Sequence, residues 1–245
     1  MSCTRYMSCL KSKSMTRRIK MEISESTVAN AIRYCYRKYC KANIIIAGPI
    51  GSGKRELADA VKDWFETING ERVTVFSQED YYKEKDLIPG DEEYGKEIDS
   101  IKAFDKERFI TDSRNLFDKG CVLVNRYNIR DWSKKWPYRY VDINGVQEGE
   151  PKFRIEAFQS SRTNIFIGLH AITLLKDIIP NSVTVYLNTD VNVWMSRRMK
   201  EGMFLPQPKV IIRGQLLRYY EEFVLPQIAE DILPQLDMAD IVVKY

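Results

Sequence analysis

The chain has 245 residues, 44% hydrophobic and 29% charged, enough for one domain with an extension and a sizeable core, which excludes disorder throughout. No apolar run approaches the roughly 18 residues of a membrane span, and the N-terminus lacks the apolar core of a secretory signal, so a soluble, intracellular protein is expected. The net charge of +4 hides a split, because residues 1–41 hold ten Lys or Arg against only Glu22 and Glu25 and the remainder is mildly acidic.

The first 21 residues contain no acid and many Ser, Thr, Arg and Lys. That composition suits a solvated arm on a cytoplasmic protein or, alternatively, a mitochondrial transit peptide. Scarce aromatic platforms argue against a nucleic-acid-binding arm. Ser24–Lys41 opens on capping-type serines and carries Val28, Ile32, Cys35 and Tyr39 at three- and four-residue steps, which predicts an amphipathic helix. Residues 1–41 are therefore read as a basic N-terminal extension and 42–245 as the domain. The five cysteines are scattered without a CxxC pair, and the single His170 completes no zinc set with them. They read as reduced thiols, and no protein metal site is assigned.

From Asn43 the pattern changes. Asn43 to Gly48 is a continuous apolar run ending in glycine, the mark of a buried parallel strand. A helix is predicted over Lys54–Thr67 and a strand over Val73–Ser77. The alternation continues with a helix over Phe104–Lys119 and strands over Cys121–Asn125 and Asn164–Gly168. A helix over Leu169–Ile179, a strand over Val183–Asn188 and a helix over Val191–Lys200 follow. Val210–Glu230 reads as helical, interrupted by Pro226, and Ile241–Val243 as a last strand. Such alternation predicts an α/β fold, a parallel sheet with helices on both faces. Between Tyr138 and Phe158 apolar and polar residues alternate around Asn144-Gly145, which predicts an inserted β-hairpin.

The first strand runs into GPIGSGKR (Gly48–Arg55), nearly the phosphate-binding P-loop, GxxxxGK followed by Ser or Thr. Three glycines let consecutive backbone N–H groups face one anion, and the following helix adds its positive end. Lys54 would reach the β- and γ-phosphates. Arg55 is the exception, standing where the motif places the hydroxyl that holds Mg²⁺.

Beyond this loop the chain resembles the uridine kinase and phosphoribulokinase family of P-loop kinases, most closely the uridine kinases. VFSQEDYYK (Val75–Lys83) is similar to the family's second strand and the loop bearing its catalytic acid. EIDSIKAFD (Glu97–Asp105) resembles its FDHPxAFD segment, and RYNIRDWSK (Arg126–Lys134) its YDF…HxR stretch. IFIGLHA (Ile165–Ala171) resembles EGLHA, MSRR (Met195–Arg198) the start of the arginine-rich lid, and Phe223–Val243 the closing pattern of two prolines before an ADVII strand. The resemblance spans about residues 42 to 243 and implies a P-loop nucleoside-kinase sheet with a β-hairpin flap.

It also implies roles. Lys54, Glu79 and Asp80 take the catalytic positions, with Glu79 in place of the family's aspartate. Gly48, Gly51, Ser52, Gly53, Lys54, Arg55, Arg197 and Arg198 form the nucleotide-binding set, with ATP as the nucleotide. Asp99, Tyr127, Asn128 and Trp132 fall in the nucleoside-substrate positions. Ile167 occupies the place of the family's metal-coordinating glutamate, so with Arg55 two expected Mg²⁺ ligands are missing and a Mg²⁺ cofactor is doubtful. The same changes imply impaired or lost phosphotransfer and a structural or regulatory role, with protein partners meeting the 138–158 insertion or the N-terminal extension. An active ATP-dependent nucleoside kinase is the alternative. Placing Arg55 and Glu79 at one metal position leads to a further expectation, that the guanidinium occupies that position and pairs with Glu79 or a phosphate.

Overall fold

The computed structural model describes residues 42–83, 99–126, 154–200 and 220–244. Ile44, Ile45 and Ile46 form the middle of β1 (Ala42–Ala47), and all three are fully buried, because this strand lies at the centre of a sheet covered on both faces. The sheet order is β2-β5-β1-β6-β7, all parallel, with β2 at Val73–Ser77, β5 at Thr163–Gly168, β6 at Ser182–Asn188 and β7 at Ile241–Lys244. Ala47 is level with Gly168 and Tyr186, and Ser77 with Ile167, so the C-terminal ends of four strands finish along one edge.

Alternation along the strands divides the core in two. Ile44, Ile46, Ile165, Val183 and Val185 turn to one face, where Leu57, Val61 and Phe65 of α1 (Lys54–Asn69) cover them. Ile45, Phe76, Phe166 and Tyr186 turn to the other. Covering them are Phe109 and Leu116 of α2 (Lys106–Lys119), Ile172 and Leu175 of α3 (Ala171–Leu175), and Trp194 of α4 (Val191–Lys200). Helices on both faces are thus present, as the alternation of elements predicts.

Four sequence expectations are modified, one of them the helix expected over Leu169–Ile179, which forms only over Ala171–Leu175. Cys121–Asn125 does form a strand, β3 (Cys121–Arg126), but it leaves the parallel sheet and pairs antiparallel with β4 (Arg154–Gln159) in a separate ribbon. Its burial is one-sided: Val124 is buried and Leu123 is 67% exposed, as in a ribbon covered on one face only. The hairpin turn expected at Asn144-Gly145 and the helix expected over Ser24–Lys41 lie outside the described residues.

The helix expected from Phe104 begins two residues later, with the Asp105 side chain accepting from Arg108 N at 3.1 Å. Phe104 is instead extended and bridged to Tyr82. Around Pro226 the chain does not break. It continues through Tyr220–Val224, Leu225–Gln227 and Ile228–Ile232, the first and last of these as wide π-type turns, closing with Leu233 N to Ile228 O at 2.8 Å. A proline has no N–H for the α ladder, and wider turns accommodate that loss. Val224, Ile228 and Ile232 stay on the buried face, four residues apart.

Phe76 ties the ribbon to the sheet. Its ring lies 5.2 Å from Phe158 of β4, 6.0 Å from Phe166 of β5 and 6.0 Å from Phe109 of α2. Such ring pairs each add about 1 kcal/mol beyond their buried area.

Candidate functional site

Ligands of open α/β sheets sit beyond the carboxyl ends of the strands, and the P-loop leaves β1 at that edge. The loop is close-packed against its neighbours. Gly48 has φ 153°, and a Cβ there would meet Leu187 O at 2.8 Å; Gly51 has φ 71°, and a Cβ would meet Trp194 O at 3.0 Å. Neither position admits a side chain without displacing backbone. The Thr189 hydroxyl donates to Ser52 O at 3.1 Å, pinning the loop to the end of β6. Ser52 Oγ is buried with no hydrogen-bond partner among the described residues, and lies 3.0 Å from where a Gly48 Cβ would stand.

Cations surround this loop. Lys54 Nζ donates to Gly48 O at 3.0 Å and to Pro49 O at 2.8 Å, an arched pose over the loop's own carbonyls. Arg197 of α4 donates through Nη1 to Gly51 O at 3.3 Å. Arg55, in the first turn of α1, places Nη2 3.7 Å from Glu79 Oε2. The pairing expected from sequence is therefore present. It exceeds direct hydrogen-bond length, and the side chains are 41% and 24% exposed, so it is a loose, screened contact worth at most about 1 kcal/mol.

Glu79 and Asp80 ride on a short 3₁₀ turn, Gln78–Tyr81, that follows β2. Its outer residues are fixed from below. Gln78 is fully buried and accepts from His170 N at 2.9 Å, while the Tyr81 hydroxyl donates to Asp112 Oδ2 at 2.9 Å. Burial, then the Asp112 carboxylate, push the Tyr81 phenol far up, so it remains a neutral donor. Both ends being anchored inward leaves the two acids partly open at the sheet edge.

Ile167 is 2% exposed and packs with Ile46 and Leu57 in the α1-facing core. Asp99 is buried, and its carbonyl meets His170 Nε2 at 2.9 Å, which fixes it beside the loop after β5. Burial lowers the His170 pKa to about 4, opposed chiefly by the charge of Asp231. The imidazole is thus neutral and structural. Tyr127, Asn128 and Trp132 lie outside the described residues, as does the side chain of Arg198. Gln78 and Thr189 are site-supporting residues that the sequence reading passed over. Only Gln78 had a signal, its place within the SQ-acid stretch.

No protein-family model matches the sequence, and no curated protein matches it. Solved structures do. A possible uridine kinase from Bacillus stearothermophilus is 14% identical with a TM-score of 0.54, over 89% of this chain and 99% of that one. The YGR205w protein is 12% identical with a TM-score of 0.58, over 90% and 93%. D-glycerate 3-kinase from Cryptococcus neoformans is 13% identical with a TM-score of 0.52, over 85% and 88%. The fold is that of the uridine-kinase-like P-loop kinases. In this fold the glycine loop with Lys54 follows β1, the turn bearing Glu79 and Asp80 follows β2, and Arg55 reaches from the first of these toward Glu79. Among the described residues no helix is long and apolar enough to cross a membrane.

Proposed function

We propose that the chain binds a nucleotide, ATP in the first instance, on the P-loop of a kinase fold whose phosphotransfer is impaired or lost, and that it acts in a structural or regulatory role. The Arg55–Glu79 contact of 3.7 Å carries this reading. Phosphoryl transfer needs a cradle, a charge-neutralising metal and a carboxylate near the acceptor hydroxyl. The glycines and Lys54 supply what a cradle needs, while Glu79, read as the base, faces the Arg55 guanidinium. Partners of a regulatory protein would meet the 138–158 insertion or the N-terminal extension.

A coupled assay with ATP, Mg²⁺ and an acceptor panel of nucleosides and small hydroxy acids tests the reading. Wild-type turnover is expected at background, and Lys54→Ala is expected to abolish ATP binding. Wild-type turnover lost in Lys54→Ala would instead establish an active nucleoside-type kinase. That alternative draws on the outward placement of Glu79 and Asp80, either of which could accept the hydroxyl proton.

A further inference from the structure

We infer that the site takes its nucleotide as the metal-free anion, with Arg55 in the place of the divalent cation, so that Mg²⁺ weakens binding where a P-loop ordinarily requires it. This preference presupposes the nucleotide-binding reading above and names the form of its ligand.

The residues present do not fit Mg²⁺. In a P-loop the ion takes an oxygen from the residue after the lysine, and Arg55 offers only donors there. Glu79, the carboxylate next to it, already faces that guanidinium at 3.7 Å. Ile167, at the end of β5, contributes a buried hydrocarbon side chain. A Mg²⁺ brought in on the β- and γ-phosphates would stand against the permanent positive charge of Arg55, the reverse of the arrangement that retains it.

The same surroundings do fit a bare polyphosphate. Ser52 Oγ is buried without a hydrogen-bond partner among the described residues and is turned across the loop toward Gly48. Arg197 Nη1 lies on Gly51 O and within 3.3 Å of where a Gly53 Cβ would stand. With Lys54 over the loop carbonyls, three cations from two helices bracket one anion-binding turn. The Arg55 contact with Glu79 is longer than a direct hydrogen bond and the side chain is 41% exposed, so the guanidinium can pivot from carboxylate to phosphate, where its fork makes bidentate bonds. The charge that a P-loop usually borrows from Mg²⁺ is here built into the chain.

Calorimetric titration of the full chain with ATP, in EDTA and in Mg²⁺ excess at matched ionic strength, tests this. The wild type is expected to bind at least about tenfold tighter in EDTA, and Arg55→Ser to reverse the order. Arg55→Lys keeps the charge and is expected to keep the wild-type order, a check that does not depend on the serine variant folding. Tighter binding with Mg²⁺ in the wild type, or an EDTA-to-Mg²⁺ ratio unmoved by Arg55→Ser, overturns the metal-free preference and leaves nucleotide binding intact. Binding in neither buffer overturns both.

Discussion

Lys54 and Arg55 are consecutive, yet one arches over the loop and the other turns toward β2, because successive residues at a helix start point about 100° apart. His170 shows how a single side chain stores a pH dependence. Its pKa falls from the ordinary 6.5 to about 4 because burial penalises the imidazolium. The unfolded chain therefore binds the proton more readily than the folded one between those values. Stability is full above about pH 6.5 and is lost as pH falls toward 4, by about 2 kcal/mol at pH 5. Urea midpoints of wild type and His170→Gln, compared at pH 8 and pH 5, check this. The variant starts less stable, and its unfolding free energy, taken as midpoint times slope, should fall by about 2 kcal/mol less between the two pH values; parallel falls would mean that the imidazole titrates normally.

At the scale of elements, the turn Gln78–Tyr81 depends on Gly168. A Cβ on Gly168 would stand 2.5 Å from Gln78 Cβ and closer still to Gln78 Oε1, so the strand end and the turn cannot both keep their places. Gly168→Ala should cost about 3 kcal/mol, at the upper end for overpacking, read as a lower urea midpoint with an unchanged slope. An unaltered midpoint would show that β2 and β5 are not so tightly joined. Element types and most boundaries were legible in the sequence: β2 (Val73–Ser77) and α4 (Val191–Lys200) are found where periodicity places them. The fate of Cys121–Arg126 was not. A short apolar run reads alike in a sheet interior and in a ribbon, and only its pairing with residues 154–159 separates the two. Nor does composition show that the turns around Pro226 widen instead of ending, since Val224, Ile228 and Ile232 hold that segment by burial against other elements.

At the scale of the whole molecule, distant chain segments meet at buried amides. Gln235, fully buried, accepts from Ile172 N at 3.0 Å and Thr173 N at 3.2 Å and donates to Leu169 O at 2.6 Å. It caps α3 from a segment more than 60 residues away, in a helix whose own N-cap, His170, supplies no side-chain bond. Gln235→Leu should therefore cost about 3 kcal/mol, since it strands the buried Ile172 N–H and Leu169 carbonyl and a part-buried Thr173 N–H. Chemical denaturation measures it, and a loss below about 0.5 kcal/mol would assign the cap to some other group. The P-loop, its departure at Arg55 and the alternation of strand and helix were determined by the sequence alone, because each is a local pattern of side-chain type and spacing. The strand order, the His170–Gln78 and Gln235 anchors, and the facing of Arg55 to Glu79 were decided by tertiary structure. Those contacts join segments distant in the chain; burial selects the two amide anchors, and the packing of β1 beside β5 and β2 brings Arg55 to Glu79.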